Sequence, residues 1–291
     1  MARSHVAQTA LGPMVIAAVE QLEPVDRRVV DDPLAVGFLP PVAGLLVRAC
    51  RWGWWRRRVV HLTDGKAVGL WAEMLCRKRF IDDQVRAAVD AGIRQLLVLG
   101  AGFDTRGYRL ADPERTAVYE VDLPANIDTK RARVRAVLGA VPDHVRLVPV
   151  DLGTDDLAES LRANGFRFDE PVVIVWEAVS QYLTEDAVRR TITVLAATAP
   201  GSRLVFSYIR QEFLDGTNTF GAARLHQSFV RDRGIWHFGL RPDQVAPLLA
   251  EYGWTEQEQL GGAELAQRYL EPLGRGEPVS ELERLVTANR A

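Results

Sequence analysis

The chain reads as an α/β fold in which a largely parallel sheet carries helices on both faces. Three observations predict it. Five short apolar runs, rich in β-branched and aromatic residues, alternate with helix-like segments from Gln95 onward. Three of those runs end on an acid: Asp122, Asp151 and Glu177. The first run ends instead in a glycine turn, Gly100-Ala101-Gly102, followed by Asp104-Thr105-Arg106.

The elements can be taken in chain order. Residues 1–92 are expected to be helical and broken by Pro24, Pro33, Pro40 and Pro41, forming a lid. Residues 93–291 are expected to form the ligand-binding domain. "QLLVLG", "TAVYEVD", "VRLVPVD", "PVVIVWE" and "SRLVFSYI" are too short for buried helices and read as strands. "PANIDTKRARVRAVLG", "TDDLAESLRANG" and "TEDAVRRTITVLAATAPG" are the crossover helices, the last with Thr184 as N-cap and Pro200-Gly201 as its stop. "PDQVAPLLAEYGW" reads as a helix starting at Pro242, and "LERLVTANRA" as a closing strand. The stretch from Arg210 to Phe238 reads as an insertion, near 210–240, covering the crevice.

Right-handed crossovers put the carboxyl ends of parallel strands on one edge, where ligands gather. Carboxylates there accept hydrogen bonds from hydroxyls, amides or ammonium groups.

Bulk properties exclude several classes. The 291 residues carry a net charge of −2, with 47% hydrophobic and 25% charged residues, so nothing in the total points to nucleic acid. Cys50 and Cys76 have no metal-ligand neighbours and form no disulfide framework; no metal is expected. "MVIAAVEQL" is too short for a leader and no run reaches the ~20 residues of a membrane span, so the expected compartment is cytoplasmic. The segment "LLVRACRWGWWRRRVV" holds five arginines and three tryptophans. It is expected to be a lid helix with its tryptophans packed over the catalytic domain. A membrane-surface or nucleic-acid role and attraction of an acidic, aromatic substrate are the alternatives.

The glycine turn decides the ligand chemistry. A dinucleotide fingerprint wants a third glycine where Thr105 stands, and Asp104 would repel a diphosphate. A cationic ligand fits better, and S-adenosyl-L-methionine meets the demand with a sulfonium, an amino group, a carboxylate and a ribose. Asp122 lies about 20 residues past the turn, where a ribose acid is expected. Glu120, two residues earlier, projects to the same side, and the sequence does not choose between them. Asp151-Leu152 offers an acceptor and an apolar wall for adenine.

"LLVLGAGFDTRGYRL", "YEVDLP", "VPVDL" and "WEAVSQYLT", in that order, resemble the class I S-adenosylmethionine-dependent methyltransferases of the leucine carboxyl methyltransferase branch, which includes polyketide O-methyltransferases. "CRKRFIDDQV" and "TALGPMVIAAVEQ" extend the likeness over most of the chain. The resemblance implies a Rossmann-like seven-stranded sheet, six strands parallel and the last antiparallel. It implies Arg77 on the methionyl carboxylate, Gly100 under the methionyl part, Asp122 on the ribose, Asp151 and Leu152 on adenine, and Glu177 on the amino group. Ala101, Gly102 and Asp104 complete the cofactor turn, and Tyr182 lies near the methyl acceptor. Three residues depart from the pattern: Lys78 stands where Thr is usual, Ala178 where Gly is, and Gln181 where a larger apolar residue is.

The function expected is O-methylation of a small secondary metabolite, acidic or aromatic, with a carboxylate favoured because it needs no base. A phenol or alcohol would need one, and His237 is then the first choice. The rivals are methylation of a protein C-terminal carboxylate, a nicotinamide oxidoreductase and a non-catalytic cofactor-binding protein. Arg106 is expected to brace Asp104 rather than touch ligand. Arg77 and Arg79, beside Asp82 and Asp83, read equally well as a surface ion-pair cluster. An oligomer is compatible with all of these.

Overall fold

In a computed structural model of the protein, residues 11–291 are described; Thr9 and Ala10 of the opening motif, and the start of the expected lid, lie outside them. Four main helices come first: α1 (Leu11–Glu20), α2 (Pro41–Ala49), α3 (Gly53–Asp64) and α4 (Leu70–Asp90). Next come β1 (Gln95–Leu99), β2 (Ala117–Asp122), α5 (Pro124–Leu138), β3 (Val145–Pro149), α6 (Leu157–Ala163), β4 (Val173–Trp176), α7 (Glu185–Ala196) and β5 (Arg203–Ile209). The chain closes with α8 (Pro242–Glu251), β6 (Trp254–Leu260), α9 (Gly262–Tyr269) and β7 (Glu283–Arg290).

The seven strands form one sheet in the order β3-β2-β1-β4-β5-β7-β6. β1 to β5 pair in parallel, and β7 runs antiparallel to both β5 and β6. One strand is therefore reversed among six aligned ones. Alternate residues of β1 feed opposite cores: Leu96 and Val98 pack with α1 and α4 residues, Leu97 and Leu99 with α6, α7 and α8 residues. A sheet buried on both faces explains why these runs are almost wholly apolar.

Local chemistry places the helices. The Thr184 hydroxyl accepts the Ala187 amide at 3.3 Å, and Asp156 caps α6 through the Glu159 amide at 2.9 Å. Pro124 and Pro242 occupy first-turn positions, where no amide donor is lost.

Two sequence expectations change. The helix from Pro242 ends at Glu251, and Trp254 starts β6, an edge strand no apolar run announces. Its exposed positions carry Thr255 and Gln257, with Glu256 and Glu258 half-buried between and beyond them, and such polar and charged residues guard an edge against further pairing. The segment from Leu45 to Val60 is not one helix but the end of α2 and most of α3, broken at Trp52, whose backbone is extended. Two of its three tryptophans do not pack over the domain: Trp52 and Trp54 are 50% and 57% exposed, whereas Trp55 is half-buried.

Candidate functional site

β1 sits between β2 and β4, so the turn after β1 lies between the segments that leave the ends of those two strands. Gly100 and Gly102 both have positive φ, +67° and +41°. A Cβ on Gly100 would lie 2.1 Å from Val179 Cγ2, so glycine is required there by conformation and by space.

On the β2 side, Asp122 is half-buried and holds the turn. Its Oδ2 accepts the Gly102 amide at 2.6 Å, and its Oδ1 accepts the Leu123 amide and Asn126 Nδ2, each at 2.7 Å. Glu120 is fully buried instead, paired with Lys130 Nζ at 2.8 Å and accepting the Tyr108 hydroxyl at 2.7 Å. Its carboxylate is held inside the protein, whereas that of Asp122 is half-buried at the turn. Ala101 is buried too; its carbonyl faces Lys130 and its amide pairs with Val121.

On the β4 side, Glu177 comes directly after the strand. Arg77 Nε donates to its Oε1 at 2.9 Å and Arg106 Nη1 to its Oε2 at 2.6 Å. Burial raises the cost of its charge, but Arg106, Lys78 and Arg77 prevail and hold the carboxyl well below the ordinary carboxylate range. Asp104 is lowered in the same way: burial opposes it, and Arg106, Lys130 and Lys78 outweigh burial. Both acids are thus fixed anions beside the glycine turn.

Arg77 is no surface residue: it is 2% exposed and also meets Glu73 at 3.1 Å and Glu283 at 2.5 Å. Arg106 reaches Asp82 at 2.7 Å as well as Asp104, so it braces the turn as expected. Arg79 pairs with Asp83 on the surface. Lys78 is the residue whose role the motif leaves open. It is 8% exposed and acts electrostatically on both Glu177 and Asp104, yet its ammonium has no hydrogen bond or ion pair among the described residues. Its signal was the departure from the usual Thr.

Asp151 stands two residues beyond β3, its Oδ1 accepting the Gly153 amide at 2.9 Å, with Leu152 packed against the second core. Ala178 adopts the left-handed conformation, φ +54°, and its amide donates to Ser207 Oγ at 2.8 Å. That conformation is one glycine adopts without strain.

The insertion returns to this edge. A parallel bridge joins Arg210 to Leu240, and the Gln181 carbonyl accepts the amides of His237 (2.6 Å) and Phe238 (3.4 Å). Trp236 meets the Tyr182 ring edge-on at 6.3 Å and stacks on Phe229 at 4.8 Å. The His237 side chain is exposed, so what ties this residue to the site is its backbone rather than an imidazole poised as a base. Gln181 Oε1 and Trp236 Nε1 are buried atoms without a hydrogen-bond partner, an acceptor and a donor on the residues next to Tyr182 and His237.

The arrangement suits a cationic nucleoside. It offers two fixed carboxylates, Glu177 and Asp104, the Lys78 ammonium, and the half-buried Asp122 around one glycine turn. Among the described residues, no group of three His, Cys, Asp or Glu stands where it would hold a metal ion.

Comparison with known proteins agrees with this geometry. Residues 10–196 match the leucine carboxyl methyltransferase family. A protein of Mycobacterium avium (strain 104), named among the S-adenosyl-L-methionine-dependent methyltransferases, is 33% identical over 258 residues, 83% of this chain and 81% of its own length. One from Mycobacterium ulcerans (strain Agy99), with the same assignment in its name, is 38% identical over 191 residues, 62% of this chain and 58% of its own, so the match spans less than two thirds of that relative. A crystal structure from Thermobifida fusca YX, named as a methyltransferase, shares the fold with a TM-score of 0.58 and 20% identity, covering 81% of this chain and 88% of its own. The chain belongs to the leucine carboxyl methyltransferase family of S-adenosyl-L-methionine-dependent methyltransferases.

Proposed function

We propose that this chain is an O-methyltransferase acting on a small secondary metabolite, with a carboxylate oxygen as the acceptor. The observation that carries the reading is Glu177, held ionised by Arg77 and Arg106 beside the glycine turn. A fixed anion there favours a cationic methyl donor and disfavours a diphosphate. Glu177 takes the methionyl amino group, Asp122 the ribose, and Asp151 with Leu152 the adenine. Lys78 takes the methionyl carboxylate, because Arg77 is already engaged by three acids.

When bound, S-adenosyl-L-methionine supplies an electrophilic methyl group. The protein aligns the acceptor oxygen and excludes water, which is catalysis by proximity and desolvation. Tyr182, Trp236 and Phe229 offer aromatic walls, and Gln181 Oε1 and Trp236 Nε1 offer polar contacts to an acceptor. The backbone of the insertion is tied to the Gln181 carbonyl, which supports a covered edge suited to a small molecule better than to a protein terminus. An ionised carboxylate needs no base, in keeping with an exposed His237.

Calorimetry with S-adenosylhomocysteine and NAD tests the donor: the first should bind and the second should not. Turnover on matched aromatic acids and phenols tests the acceptor. Methylation of phenols alone would overturn the carboxylate assignment.

A further inference from the structure

Eleven large apolar side chains are exposed on the described residues, and six of them, Val42, Leu45, Leu46, Trp52, Trp54 and Leu62, lie on α2, α3 and the turn between them. The two helices are turned inside out. Val42, Leu45 and Leu46, at helical spacing of three and four, form an outward apolar stripe on α2, and Val47 is the one residue of that helix that is buried. α3 buries no residue at all over its 12 positions, and its outward side carries Trp54, Arg57, Arg58, His61 and Leu62. Only Val59 and Val60 of α3 pack against the core, and both are half-buried, so the rest of the helix stays open to a partner.

The charge on this face has one sign. No Asp or Glu occurs from residue 33 to residue 63, while Arg48, Arg51, Arg57 and Arg58 are exposed and have no ion-pair partner among the described residues. Arg56 alone turns back, to Glu23 at 2.6 Å. The Arg51 guanidinium lies 4.6 Å from the Trp52 ring centre. Aliphatic side chains, tryptophans and unpaired arginines on one face are what the boundary between lipid headgroups and acyl chains accommodates. A second copy of the chain would bring two sets of unpaired arginines face to face. A nucleic acid would leave Val42, Leu45, Leu46 and Leu62 without a use.

We propose that α2 and α3 dock this protein on an anionic lipid bilayer surface, with Trp52, Trp54 and the aliphatic stripe entering the headgroup layer and the four arginines meeting lipid phosphates. No spanning is involved, since no described helix is long and apolar enough to cross.

The test uses the full chain and vesicles of phosphatidylcholine with or without phosphatidylglycerol, read by co-sedimentation. The chain should sediment with the anionic vesicles and stay free with the neutral ones, and its tryptophan emission should shift to the blue on binding. High salt should release much of it. Arg57→Glu with Arg58→Glu should weaken association at least about tenfold, since each cation at the surface is worth roughly fivefold or more. Trp52→Ser with Trp54→Ser should weaken it comparably. Arg135→Glu, an exposed change on α5, should leave it unaltered, and all variants should keep their affinity for S-adenosylhomocysteine. No association with anionic vesicles at low salt would overturn the proposal. So would equal loss in Arg135→Glu, a shift from dimer to monomer in the tryptophan variant, or capture by an oligonucleotide with none by vesicles.

Discussion

Arg106 and Glu177 are 71 residues apart in sequence and 2.6 Å apart in the structure, where the guanidinium Nη1 donates to the carboxylate Oε2. Arg77 holds the other oxygen of the same carboxylate, so α4, the β1 turn and the end of β4 are locked together through one side chain. Both arginines are almost wholly buried, and the loss of one partner strands the other. Arg106→Met should therefore destabilise the protein by roughly 3–5 kcal/mol, because Asp104 loses the cation it is paired with, while Glu177 keeps only Arg77 and Asp82 keeps Arg109 as its close partner. Chemical denaturation would measure it, and a loss within about 1 kcal/mol, the worth of an exposed pair, would show the network to be slack.

Lys78 separates two ligands. S-adenosylhomocysteine carries the methionyl carboxylate and 5′-methylthioadenosine does not. Lys78→Met should weaken the first about tenfold or more, the worth of one hydrogen bond to a charged group, and leave the second within about twofold. Equal loss of both affinities would return the carboxylate to Arg77.

Asp122→Ala removes the proposed ribose acceptor and, at the same time, the acceptor for the Gly102 amide, the Leu123 amide and the Asn126 side chain. Affinity for S-adenosylhomocysteine should fall at least about tenfold. Asp122→Asn keeps the shape and one acceptor oxygen and should recover part of the melting temperature without recovering the affinity. Unchanged affinity in both variants, read by calorimetry, would take Asp122 out of the site.

Ala178 is a strained residue that glycine would relax. Ala178→Gly should raise stability by about 0.5–1 kcal/mol, the left-handed penalty less the entropy that glycine loses on folding. A lower melting temperature would mean that the Ala178 methyl group makes contacts worth more than the strain.

Stability should depend on pH in two windows of opposite sign. Glu177 and Asp104 are lowered in the fold, so the stability they confer is present above their ordinary values of 4.5 and 3.8 and is lost as pH falls below them. Glu73 is pushed up to about 8 by burial, ahead of the pull of Arg77, with Glu283 and Glu177 adding to the rise. Its ionisation on folding is disfavoured, so stability falls as pH rises from 4.5 towards 8. Thermal melts of Glu73→Gln should show that second decline flattened; an identical profile would place the cause elsewhere.

The sequence alone settled the parallel sheet, the position of the glycine turn and the identity of the acids that end the strands. Those features are local: strand runs, caps and turns are written in neighbouring residues, and parallel crossovers bring their ends to one edge. It did not show β6, because an edge strand guarded by Glu and Gln has no apolar run to read. It left Glu120 level with Asp122, and only the tertiary structure showed one buried against Lys130 and Tyr108 and the other at the rim. It suggested that Trp52 and Trp54 pack inward, and the fold exposed them. One reason covers the acids and the tryptophans. Whether a charge or a ring is buried depends on what other elements bring to it, and partners 71 or 100 residues away leave no mark on the local pattern.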